Sequence, residues 1–192
     1  MTTPAAPGAA GQDAAPLRPK LTAEQALTRL LELIRTSRYV SDFTPERVSQ
    51  VMGVKTEFAK NGTGEYGYGE QITSDWLQNF GMEKTLDRFM FSFDPVKPGT
   101  SPDMTDICQL DFEKFSAELE TMGFSKTPHY DSPPFTLIEE DRLPHGRLMD
   151  YTFERIRDGR GEMTVIVYPE GEHVWNEQTA NGCLCVRMIL IH

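Results

Sequence analysis

Four apolar residues, Leu27, Leu30, Leu31 and Ile34, recur at the i, i+3, i+4 and i+7 spacing of one helical face, directly after Thr22 and Gln25, a capping-box pair. This predicts an amphipathic helix at the front of a folded domain. A second start follows at Thr44-Pro45-Glu46, with a capping hydroxyl, proline at the first helical position and an acid in the first turn. Val48, Val51 and Met52 give that helix its apolar face, and Gly53 ends it. Beyond Glu65 the period changes to two. Tyr66 and Tyr68 alternate with glycine, and Phe89, Phe91 and Phe93 alternate strictly, which places three rings on one face of a sheet and Met90 and Ser92 on the other.

Ile107 to Leu110 reads as a short strand, and Asp111 then caps a third helix with the stripe Phe112, Phe115, Leu119 and Met122, stopped by Gly123. Thr127 to Phe135 reads as a proline-rich connection. Three more strands are expected at 148–156, 163–168 and 183–191, the first two joined by a turn at Asp158-Gly159. Because helices and strands are grouped rather than alternating, the expected class is α+β: an N-terminal helix pair, an antiparallel sheet and one further helix in a single domain spanning 21–192. Residues 1–20 are Ala-, Pro- and Gly-rich with almost no large apolar side chain, so an unstructured tail is expected there. No internal repeat is visible in the sequence.

Composition narrows the function classes. The 192 residues carry 29 acidic against 19 basic side chains, a net charge of -10. Such a chain repels phosphate backbones and anionic headgroups, so neither nucleic acid nor a membrane surface is the expected partner, and a basic protein surface is the electrostatic match. No run approaches the roughly 20 apolar residues of a membrane helix. Three cysteines, two of them at Cys183 and Cys185 in one apolar run, do not resemble a disulfide framework, so reduced, buried thiols in a cytoplasm are expected. If a signal segment was removed, the expectation becomes periplasmic, and Cys108 could pair with one of the other two.

Catalytic and cofactor signatures are weak, and the chain is expected not to be an enzyme. Gly62 to Gly67 matches G-x-G-x-x-G, yet no strand precedes it, a Tyr/Gly alternation follows where a helix should begin, and Glu65 would face phosphate. A glycine-rich loop opening a strand is the expected reading. His129, His145, His173 and His192 are scattered and no Cys-x-x-Cys exists, so neither a metal nor another cofactor is expected; His173 with Glu177, or His129 with Asp131, makes half a metal site at most. There is no nucleophile elbow, and Cys108 has no histidine close in sequence. The acids Glu139-Glu140-Asp141 read as a solvated loop, and Asn61-Gly62-Thr63 as a glycosylation pattern of consequence only in a eukaryotic secretory route.

The segment from Tyr168 to Gly182 is too long for a hairpin turn, and loops of that length in compact domains tend to be functional. Trp175 stands there among Glu170, Glu172 and Glu177, with His173 and Asn176 beside it. These six residues are the expected partner-binding site, a tryptophan anchor ringed by acids. The alternative is that Trp175 folds back onto the core.

The segment Phe43-Thr44-Pro45-Glu46-Arg47-Val48-Ser49-Gln50-Val51-Met52-Gly53 resembles the second helix of BamE-like (SmpA/OmlA) domains and of β-lactamase-inhibitor-protein-like folds, in which two helices precede antiparallel strands. The third helix, and the lack of a signal and lipidated cysteine, depart from BamE-like lipoproteins. The resemblance implies a binding scaffold rather than an enzyme. In its small, acidic build the chain is also similar to bacterial immunity proteins that neutralise toxins. The expected function is a protein-binding module of inhibitor or immunity type; the alternatives are an enzyme whose site assembles only in the fold, or an assembly subunit.

Overall fold

The computed structural model describes residues 17–131, 148–157, 159–170 and 184–192. Among them are three α-helices and an eight-stranded antiparallel sheet, an α+β fold. Helix α1 (Ala23–Arg35) starts in the capping box of Thr22 and Gln25, and α2 (Pro45–Met52) is capped by Thr44 and closed by Gly53 at φ 68°, the left-handed conformation that glycine enters at least cost. A single 3-10 turn, Val40–Asp42, joins the pair. The strands are β1 (Glu57–Phe58), β2 (Tyr66–Gln71), β3 (Trp76–Glu83), β4 (Arg88–Pro95), β5 (Ser125–Tyr130), β6 (Leu148–Arg157), β7 (Arg160–Glu170) and β8 (Cys185–Ile191). Helix α3 (Phe112–Thr121), capped by Asp111, precedes β5.

Spatial order is β1-β2-β3-β4-β8-β7-β6-β5, so two four-stranded meanders meet through their last strands. One face of this sheet is the core face. Its central row runs Tyr66, Met82, Phe89, Ile191, Val165 and Phe153 across six strands. Phe89, Phe91 and Phe93 are fully buried there, against the apolar stripes of the helices. Polar ties fix the layers: Gln78 Nε2 donates to the Leu21 carbonyl at 3.0 Å, Trp76 Nε1 to the Asp103 carbonyl at 3.0 Å, and the Tyr66 hydroxyl to the Phe43 carbonyl. The buried Glu162 carboxylate accepts from Arg38 at 2.8 Å and lies 3.3 Å from Arg155, whose guanidinium donates to the Ser37 carbonyl at 2.6 Å. This cluster holds the β6–β7 hairpin to the end of α1.

Three expectations need correction. Residues 107–110 are not a strand: Asp103 accepts the Thr105 N–H and starts a 3-10 turn, Thr105–Ile107, that leads into the α3 cap. The connection after α3 begins as strand β5, which tolerates Pro128, with no N–H to donate, because β5 is the outermost strand of the sheet among the described residues. The expectation of reduced thiols is overturned for two of the three cysteines, since Cys108 and Cys185 are bonded to each other. Both lie buried at the junction of α3 and β8, where the Phe112 N–H also donates to the Leu184 carbonyl at 2.7 Å. No helix of the described residues is long and apolar enough to cross a membrane.

Candidate functional site: the face of the sheet without helices

The described helices pack on one face of the sheet, and the side chains that point the other way form a second surface. Its longest row crosses all eight strands as Glu57, Gly67, Gly81, Met90, Leu190, Ile166, Thr152 and Thr127. The next row runs Gly69, Asn79, Ser92, Met188 and Tyr168. The middle of the face is thus two methionines, Ile166 and a tyrosine, all half-buried, with Leu190 and Ser92 buried between them, while the β2–β3 end is nearly bare of side chains. The glycines there are required by close backbone approach. A Cβ on Gly67 would stand 2.8 Å from the Phe80 carbonyl oxygen, and one on Gly81 would collide with the Tyr66 carbonyl.

Polar groups fix the margins of this surface. Asp94 accepts from Asn79 at 2.8 Å and from Ser92 at 2.7 Å, and Arg88 pairs with Glu83. Tyr168 has its phenol pushed above the usual tyrosine range by burial, with the Asp150 carboxylate adding to the effect and Arg88 opposing it. Burial and the Arg88 charge lower His192, with Asp87 working against them. A neutral phenol and a neutral imidazole beside methionines make an amphipathic surface suited to contact with another protein.

Among the described residues, His129 is not set up as an acid–base relay. His129 meets Asp150 rather than Asp131 of the half-site expected from sequence: its Nδ1 lies 3.0 Å from Asp150 Oδ1 and 3.3 Å from the Thr152 hydroxyl. A relay through imidazole needs the carboxylate and the hydroxyl on different ring nitrogens, and here both address Nδ1. Among the described residues no group of three His, Cys, Asp or Glu side chains could hold a metal ion.

Of the six residues expected to bind a partner, Glu172, His173, Trp175, Asn176 and Glu177 lie outside the described residues. Glu170 falls at the end of β7, where its carboxylate lies 2.6 Å from Arg187 Nε, and Arg187 in turn covers the Trp76 ring at 4.8 Å. Its charge is therefore neutralised within the fold. Sequence alternation already turned Met90 and Ser92 away from the phenylalanines. What it missed were Met188, Tyr168 and the glycine row, which become neighbours only through the pairing of β4 with β8 and of β2 with β3. Compared with known protein families, curated proteins and solved structures, the chain matches none.

Proposed function

We propose that this chain is a protein-binding module of the inhibitor or immunity type, and that it docks its partner on the face of the sheet without helices. The carrying observation is the eight-strand row in which half-buried Met90 and Ile166 flank the buried Leu190 opposite the helical layer, next to half-buried Met188 and Tyr168. A central apolar strip edged by Asp94, Asp150, Glu83 and Arg88 has the apolar-centre, polar-rim make-up of a protein interface. The net charge of -10 favours a basic partner, whose encounter it would accelerate. A helix pair ahead of antiparallel strands, the feature behind the resemblance to BamE-like and β-lactamase-inhibitor-protein-like domains, supports a scaffold role. The Cys108–Cys185 bond supports an oxidising compartment such as a periplasm over a reducing cytoplasm.

Site-specific photocrosslinking in the source cell tests this reading. A photoreactive residue at Met188 should yield one dominant adduct, and the same residue at Glu24, exposed on α1 on the helical side, should yield none. Purified chain added to the captured protein should then suppress that protein's activity. Adducts from position 24 and none from position 188 would place the interface on the helical side and refute the assignment.

A further inference from the structure

The two outer edges of the sheet differ. On β5, Pro128 lacks an N–H and the register breaks between His129 and Tyr130, two devices that prevent another strand from adding. On the opposite side β1 is only two residues long, pairing Glu57 with Gly67 and Phe58 with Tyr66. The chain before it turns away toward α2, held by the Thr56 N–H on the Ser49 hydroxyl at 3.1 Å. Four residues of β2, Tyr68 to Gln71, therefore have no strand outside them among the described residues.

The direction of their backbone groups follows from one bond. Ala59 N–H donates to the Glu65 carbonyl at 2.8 Å, so Glu65 turns its main chain outward, toward β1. In an antiparallel ladder successive residues turn their N–H and C=O to alternate sides. Gly67, Gly69 and Gln71 therefore face outward as Glu65 does; β1 satisfies Gly67, whereas Gly69 and Gln71 have no strand partner on that side among the described residues and are exposed. Beside this edge runs a groove of about 800 Å³, lined among others by Lys20, Lys55, Phe58 and the backbone of β2. Four carboxylates line it against the two lysines: Glu83 is paired with Arg88, Glu70 accepts from the Lys20 N–H and the Tyr68 hydroxyl at 2.8 Å each, and Glu57 and Glu65 have no cationic partner in the groove among the described residues; Phe58 is 62% exposed at its mouth.

We propose that this edge takes an extended, basic segment of a partner protein as an added β-strand, its main chain bonded to Gly69 and Gln71 and its cationic side chains set against Glu57 and Glu65. Strand addition of this kind draws affinity from main-chain bonds and specificity from alternate side chains. The inference rests on the protein-binding reading and specifies one element of the partner.

A random 12-residue peptide library displayed on phage and selected on the full chain supplies the probe, and enriched peptides are then synthesised. Basic residues should recur at alternate positions, and the Gly69 and Gln71 amides should exchange more slowly with solvent when peptide is bound. Gln71→Pro removes the outward N–H at an edge position where proline is tolerated, and it should lower peptide affinity at least tenfold. Gln71→Ala, which keeps that N–H, should leave affinity unchanged, and Glu57→Gln should weaken binding mainly at low salt. No enriched peptide, equal affinity for Gln71→Pro and wild type, or exchange unaltered at both amides would each overturn the proposal. The Met188 crosslink separates the two ideas: if it forms as before in the Gln71→Pro chain, strand addition has failed while the protein-binding reading stands.

Discussion

Breaking the Cys108–Cys185 bond should lower stability by an amount that chain statistics set. The two residues are 77 apart in sequence. Closing a loop of that length removes about 15 cal/mol/K of entropy from the unfolded chain, which at 25 °C is about 4.5 kcal/mol, and measured losses of native disulfides run at about 2 to 5 kcal/mol. Both sulfurs are buried, so Cys108→Ala also removes packing at the foot of α3. Reduction without mutation isolates the entropic part. Urea titrations of the oxidised and the dithiothreitol-reduced protein should therefore differ by about 3 to 5 kcal/mol, with a larger slope for the reduced form because its unfolded state is less confined. A thiol count on the unfolded, unreduced protein should find one free cysteine of the three, and peptide mapping should find Cys183 unbridged. Three free thiols, or a difference under about 1 kcal/mol, would refute the reasoning and restore the reduced, cytoplasmic expectation.

Two further outcomes can be checked with purified protein. Phe91→Ala should cost about 3 to 5 kcal/mol in chemical denaturation, since its fully buried ring stacks on Phe80 at 6.3 Å and meets Phe93 edge-on at 5.0 Å; a loss below about 1 kcal/mol would mean that the ring is not enclosed. Stability should also fall as pH rises past 10: burial holds the Tyr66 phenol far above its ordinary value, and burial, with the Glu70 carboxylate second, pushes Tyr68 up to about 12. Both groups stay neutral in the folded chain while the unfolded chain ionises them, so the stability they contribute is intact below pH 10 and lost as pH rises above it. The share of phenolate absorbance that is lost in Tyr66→Phe and Tyr68→Phe variants should appear together with unfolding, and appearance of that share in the folded protein near pH 10 would contradict the burial of these rings, whereas exposed tyrosines such as Tyr39 and Tyr130 contribute absorbance without unfolding.

Helices were legible in the sequence because their signals are local. Thr22 with Gln25, Thr44 with Pro45, and Asp111 ahead of Phe112 each state a helix start within four residues, and the side-chain bonds expected of the three caps are present. The phenylalanine strand was legible for the same reason. Pairing order was not, because β4 meets β8 across nearly half the chain and no residue of either strand names the other. Strand β5 was hidden by Pro128, which reads as a breaker until the strand is known to lie on an edge. The bridge was hidden because Cys183 and Cys185 were equally placed partners for Cys108 until the start of β8 was set beside the turn before α3.

The proposed strand-adding edge rests on an asymmetry that the topology does not require. Two meanders, β1–β4 and β5–β8, meet at β4 and β8 so that the first strand of each becomes an outer edge. Equivalent halves would leave equivalent edges. Instead, the half with two helices spends its entry strand on two residues, since the chain must leave the edge at Thr56 to reach α2, and the backbone of Gly69 and Gln71 is left open. The half with one helix enters through six residues of β5 and closes its edge with proline and a register break. Charge does not follow the same division: residues 1–100 carry 12 acidic against 11 basic side chains and residues 101–192 carry 17 against 8, so nearly all of the net charge of -10 lies in the second half. On the proposed reading, long-range attraction would draw a basic partner to the second half of the chain, and the open edge of β2 would select its added strand by main-chain bonds and by the local carboxylates Glu57 and Glu65.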